Sequence, residues 1–201
     1  AISGSVLLVQ QQAVTLKMLP FDNKSEFQVV VDLPEGSTLE QTQAVLNRIS
    51  LVLLQQPEVL HVQTYAGTAA PINFNGLVRQ YYLRSYPWQG DIQVNLAGRL
   101  ARDEQSHAIA LRVRPGLEQL ARDTGASIKL VEVPPGPPVM APLVAEIYGP
   151  DLARAREIAR DLQARFSATD GIVDVDSTVE APAERELVVV DRVRAARLGI
   201  P

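Results

Sequence analysis

The periodicity of apolar residues along this 201-residue sequence predicts an α+β fold built from ferredoxin-like split βαβ units, one complete and one incomplete, joined by a proline-rich connector. Three observations carry that expectation. Stretches with the two-residue period of strands alternate with longer stretches that hold the 3, 4 spacing of an amphipathic helix. They follow one another in the order β-α-β-β-α-β. Residues 133–142 then contain five prolines, and the same order begins again beyond them.

Taken in order, Phe27, Val29, Val31 and Leu33 alternate with Gln28 and Asp32, as in a strand with one buried face. Residues 34–36 turn the chain. Ser37 and Glu40 form an S-x-x-E capping box that should start a helix, with Leu39, Thr42, Val45, Leu46, Ile49, Val52 and Leu53 on one stripe and Pro57 closing it. Residues 59–65 are strand-like. Ile92, Val94 and Leu96 alternate after a long loop, and Ile109, Val113, Leu117 and Leu120 give a second helical stripe ending at Gly125. Pro115 lies off that stripe and predicts a kink or break near residues 111–115. Residues 128–132 complete the first unit as a strand.

The proline run of residues 134–142 reads as a stiff, extended spacer. Beyond it, Leu143, Ala145 and Ile147 predict a strand, Gly149 and Pro150 a turn, and Asp151 an N-cap. Leu152, Ala155, Ile158, Ala159, Leu162 and Phe166 form the next helical stripe. Residues 173–177 and 186–190 read as strands and residues 192–198 as the start of a helix, so the second unit is incomplete. Without an initiator methionine at Ala1, and with a helix-like run just before Pro201, both ends read as cut.

Composition narrows the function. Apolar residues make up 46% of the chain and charged residues 21%, values of an ordinary globular protein rather than a disordered one. The net charge is −4 and neither half is basic, which argues against nucleic acid as a partner. The third strand also lacks the aromatics of an RNA-stacking sheet. There is no cysteine, hence no disulfide, thiolate metal site or thiol nucleophile. No segment approaches the roughly 20 apolar residues that span a bilayer.

No catalytic constellation assembles, and the chain reads as a non-enzyme without a cofactor or metal. His61 in a strand and His107 in a helix have no ligand or carboxylate beside them at useful spacing, and read as structural. Asp170, Asp174, Asp176 and Glu180 cluster without the glycine of a calcium loop, and read as a solvated face. The aromatics say more. Half of the ten, Phe74, Tyr81, Tyr82, Tyr86 and Trp88, fall in the loop between Gly67 and Gly90. A loop of that length inside a compact domain is usually functional. It reads either as a ligand surface, with Asn73 and Asn75 adding donors and acceptors, or as a hairpin arm over residues 77–84 packing its own cluster.

Two sets of residues match a known family. Leu19, Pro20, Phe21 and Asp22, the strand from Phe27, and then Leu33, Pro34, Glu35, Gly36, Ser37, Thr38, Glu40 and Thr42 resemble the opening of the second large periplasmic loop of resistance-nodulation-division (RND) efflux permeases. Gly171, Ile172, Val173, Asp174 and Val175, followed by residues 186–191 with Arg192, Ala195, Ala196, Leu198 and Gly199, resemble the passage into the docking subdomain of those pumps.

The resemblance implies a flanking segment at the end of a membrane helix over residues 1–20 and a porter subdomain over 21–133. The connector of residues 134–142 follows, then the first half of a second porter subdomain over 143–182 and the start of a docking subdomain over 183–201. It further implies a small amphiphilic substrate and a homotrimer in the intact pump. A periplasmic adaptor, an outer-membrane channel and proton coupling in membrane helices absent from this chain belong to the same picture. The family's pocket-dividing loop carries over onto residues 65–76, which makes Tyr65, Gly67, Thr68, Ala69, Pro71, Asn73, Phe74, Asn75 and Gly76 the expected substrate contacts, with Tyr81, Tyr82 and Trp88 added from the aromatic cluster. Here the usual glycine and phenylalanine pattern is replaced. A heavy-metal-exporting branch of the family and a free-standing ferredoxin-like binding or assembly domain stand as alternatives. The metal branch uses methionines, of which there are two, Met18 and Met140.

Overall fold

The computed structural model describes residues 11, 22–133, 141–179 and 189–199, together with the backbone but not the side chains of Phe74 and Asn75. In it, β1 (Glu26–Asp32) leads to helix α1 (Leu39–Leu54), β2 (Val59–Ala66), a short helix α2 (Phe74–Val78), β3 (Gln89–Leu96), helix α3 (Ser106–Thr124) and β4 (Ser127–Val131). The strands form one antiparallel sheet in the order β2-β3-β1-β4. That order is the split βαβ arrangement, with α1 and α3 on one face.

The core lies between that face and the helices. Phe27, Val29 and Val31 of β1 and Ile92, Val94 and Leu96 of β3 meet Leu46, Ile49 and Leu53 of α1 and Ile109, Val113 and Leu117 of α3. Each fully buried Leu or Ile contributes about 1.5–3 kcal/mol relative to exposure, so this cluster holds the unit together. Gly90 is placed by closeness rather than by a turn. A Cβ there would lie 2.9 Å from Leu46 Cδ1 and 3.1 Å from Thr42 Cγ2, so β3 and α1 approach only because the side chain is missing.

Three local expectations need correction. The helix cap sits one residue later than the Ser37–Glu40 pair: Gln41 N–H donates to Thr38 Oγ1 at 3.3 Å while Thr38 N–H donates to Gln41 Oε1 at 2.8 Å. Ser37 is already engaged in closing the preceding turn, its hydroxyl donating to Pro34 O at 2.7 Å. Helix α3 continues through Pro115, so of the kink or break expected there the break does not form. Pro115 and Leu111, whose carbonyl loses its helical donor, both face solvent, where water satisfies that oxygen. Finally, β4 ends at Val131, one residue before Glu132.

The second stretch departs further. Helix α4 (Leu152–Ser167) forms as expected, with Asp151 Oδ1 accepting from the amides of Ala153 and Arg154. Helix α5 (Arg192–Arg197) is capped in the same way by Asp191. Residues 143–147 and 173–177 are not strands. The expected strand at 186–190 falls mostly outside the described residues, as do the connector prolines of residues 134–140. Among the described residues none beyond Val131 is buried. A strand needs a neighbour to receive its amides, and alternation alone does not provide one.

Candidate functional site: the aromatic loop and its charged base

The loop leaves β2 at Gly67, whose φ of +65° starts the turn and whose amide donates to Gln89 O at 2.8 Å. A Cβ on Gly67 would stand 2.7 Å from Leu39 Cδ1, so glycine also lets the loop lie against α1. Beyond it the chain forms helical turns rather than the hairpin arm that residues 77–84 suggested. Asn73 Oδ1 accepts from Gly76 N–H at 2.6 Å and opens α2, and Gln80 takes a left-handed φ of 59° before a 3₁₀ turn at Tyr81–Leu83. These local side-chain and backbone bonds satisfy the amides that a hairpin would have paired.

Both legs of the loop are fastened to one buried carboxylate. Asp91, on the helix-free face of β3, is fully buried. Its Oδ2 accepts from Ala70 N–H at 2.9 Å, and its Oδ1 from Arg84 Nε at 3.0 Å. Arg84 also lies 2.7 Å from Asp32 Oδ1 and donates to Val31 O at 2.8 Å and Gly90 O at 3.3 Å. Asp32 in turn accepts from Lys129 Nζ at 3.0 Å, and Lys129 also reaches Asp176. Val30, in register with both Asp91 and Lys129, is the fully buried residue between the two charges.

Burial pushes the Asp91 carboxyl above its usual range, with Arg84 and the Ala70 amide opposing it. Burial also works against the charge on Lys129, but Asp32 and Asp176 outweigh it and hold the ammonium above its ordinary value. A buried ion set of this kind is sensitive to loss of one member. Removing one partner of a buried pair costs about 3–5 kcal/mol, because the other charge is stranded.

On this base the loop presents apolar surface. Ile72 is 68% exposed, Leu83 60%, Tyr86 57%, Leu77 49% and Tyr82 42%, a concentration that solvent alone does not favour. Tyr86 stacks on Trp88 with ring centroids 4.8 Å apart, and Arg84 stands 6.0 Å from the Tyr81 ring. Trp88 is half-buried against the core, and its carbonyl accepts from Leu33 N–H at 2.9 Å. Alongside, an open depression of about 490 Å³ is lined by Leu39, Glu40, Gln43, Ala44 and Asn47 of α1 and by Ala66 at the end of β2.

Of the residues expected to contact substrate, Thr68, Pro71, Asn73 and Tyr82 are exposed, and Tyr65, Gly67, Ala69, Tyr81 and Trp88 are partly so. Gly76 is buried, and the side chains of Phe74 and Asn75 lie outside the described residues. Tyr65 faces the other side of the sheet from the helices, its hydroxyl donating to Gln63 Oε1 at 3.1 Å. Sequence reasoning missed Asp32, Arg84, Asp91 and Lys129. The available signal was a charge inside each of three apolar strand patterns, at Asp32, Asp91 and Lys129. The two histidines behave as expected in part: His61 is exposed on β2, but His107 Nδ1 lies 2.7 Å from Glu132, a carboxylate 25 positions away. The acidic cluster is not simply solvated either, since Asp174 and Asp176 both pair with cations of the first unit.

The four-stranded split βαβ fold is of the kind found in RND porter subdomains. The chain belongs to the AcrB/AcrD/AcrF family, whose model matches residues 1–201. That family is one of RND efflux permeases, which are inner-membrane proteins, and among the described residues of this chain no helix is long and apolar enough to cross a membrane. Its fold is similar to that of two solved heavy metal efflux pump structures. One has a TM-score of 0.63 at 22% identity, covering 99% of this chain and 21% of that one. The other has a TM-score of 0.66 at 21% identity, covering 98% of this chain and 20% of that one. The chain therefore spans about a fifth of the length of those pumps. No curated protein matches the sequence.

Proposed function

We propose that this chain is the periplasmic, non-enzymatic porter portion of a proton-driven RND permease that exports small amphiphilic compounds, and that the loop of residues 67–88 forms part of its substrate path. The observation that carries the reading is the pairing of exposed apolar and tyrosine side chains with a buried ionic base that fastens both legs of the loop. Such fastening restricts the loop before a ligand arrives, which reduces the entropy lost on binding. Tyrosine hydroxyls and the groove amides of Gln43 and Asn47 supply the polar contacts that an amphiphile requires. In the intact pump, a homotrimer with a periplasmic adaptor and an outer-membrane channel, residues 21–133 serve as one porter subdomain. Residues 143–182 open a second, and residues 183–201 lead into the docking subdomain.

The names of the two solved pumps favour a second reading, export of a heavy metal ion. Thioether sites gather several sulfur ligands, and this sequence has two methionines and no cysteine, so the first reading is preferred. The test is Tyr82→Ala with Tyr86→Ala in the full-length permease, in cells lacking other exporters. Resistance to a subset of amphiphilic compounds should fall several-fold at unchanged expression. An unaltered profile across a broad panel would overturn the proposal, and a loss confined to silver and copper ions would transfer it to the metal reading.

A further inference from the structure

We propose that Asp32, Arg84 and Lys129 form a charge relay that couples the segment around Asp174 and Asp176 to the aromatic loop, with Arg84 and Lys129 as positioning residues for that loop. The links are continuous. Asp176 pairs with Lys129, Lys129 with Asp32 at 3.0 Å, Asp32 with Arg84 at 2.7 Å, Arg84 with Asp91 at 3.0 Å, and Asp91 receives the Ala70 amide at 2.9 Å. The chain of contacts joins residues on three strands, both legs of the loop and a segment more than forty positions beyond β4.

The outer segment is held at two points. Asp174, at a left-handed φ of 55°, accepts two bonds from Arg114 of α3 at 2.8 and 3.0 Å. Asp176 meets Lys129, whose register partner Val30 places it on the helix-free face. The segment between them therefore rounds the β4 edge, touching the helix layer with one carboxylate and the opposite face of the sheet with the other.

Exposure then decides how the relay works. The side chain of Asp91 is 0% exposed, that of Lys129 8% and that of Arg84 10%, whereas Asp176 is 62% exposed. If Asp176 leaves, two cations and two carboxylates remain, so no buried charge is stranded and the contact is reversible. Its departure is still felt inside. Asp32 is the shared acceptor, with Oδ1 toward Arg84 and Oδ2 toward Lys129. A Lys129 relieved of Asp176 draws harder on Asp32, and Arg84 answers by changing its share among Asp32, Asp91 and the carbonyls of Val31 and Gly90. Arg84 and Lys129 are nearly closed to solvent and Asp32 is 24% exposed, so that exchange is only partly screened. Moving the outer segment thus moves the frame on which the loop sits. Its use in substrate handling rests on the porter reading above; the coupling itself does not.

Trp88, the one tryptophan of the chain, reports on the loop directly. In the 201-residue chain, Asp176→Asn should change acrylamide quenching of Trp88 and alter amide exchange at Ala70 by about threefold or more, as expected for coupled neighbours in one ionic network. Asp176→Glu should restore both. Asp161→Asn, which breaks an exposed pair with Arg165 on α4, should change neither. Trp88 and Ala70 signals in Asp176→Asn identical to the parent, or moved equally by Asp161→Asn, would overturn the relay, as would lost helical circular dichroism in Asp176→Asn. A relay that fails here while the Tyr82 and Tyr86 variants alter resistance leaves the porter reading standing, and the converse result separates them equally well.

Discussion

Leu46, Ile49 and Leu53 of α1 are fully buried, whereas Ala155, Ile158 and Leu162, at comparable spacing on α4, all remain partly exposed. Both helices are capped, by Thr38 and Asp151, and both are 16 residues long. The difference lies in what stands opposite. Helix α1 has a four-stranded sheet and α3 to cover its stripe, while the residues flanking α4 make no strand among those described. An amphipathic stripe is a requirement for packing and not a cause of it, because tertiary burial supplies most of a helix's stability.

The largest test of that contrast is hydrogen exchange. Amides of β1 and β3 should exchange only on global unfolding, at a cost of about 5 kcal/mol or more, while those of α4 should open locally far more cheaply. Equal protection in the two regions would mean that α4 is held by contacts its exposure does not reveal. Next in size, Arg84→Ala should destabilise the first unit by about 3–5 kcal/mol in urea unfolding, since Asp91 is left buried without its cation. Leu162→Ala on α4 should fall within about 0.5 kcal/mol of the parent, as surface substitutions do. If the two costs were similar, the ionic base would not be a fastening for the loop.

The smallest effect is a pH dependence. The pKa of Lys129 is raised on folding above 10.5, so the native state binds the proton more tightly than the unfolded chain does. The stability it contributes is fully present at neutral pH and is lost as pH climbs past 10.5 through the folded value. Lys129→Met should flatten that alkaline limb in unfolding experiments. A limb unchanged by the substitution would show that another group is titrating.

The elements of the first unit were legible because each announces itself locally: alternation at Phe27 to Leu33, a stripe from Thr42 to Leu53, and a left-handed Gly125 ending α3. The cap was misplaced by one residue because Ser37 and Thr38 are chemically equivalent, and only the turn at Pro34 decides which one is free to cap. The loop's aromatic character was visible too, but its helical turns and its fastening were not.

What the sequence determined by itself is the type and order of the four strands and two long helices of the first unit, since helical and strand periods are properties of a few consecutive residues. What only the tertiary structure decided is which charges meet. Asp32, Arg84, Asp91 and Lys129 lie on four separate segments, and they converge because β1 sits between β3 and β4 in the sheet. Strand order depends on long-range pairing, which no local pattern encodes, so the base of the candidate site became visible only once the sheet was assembled.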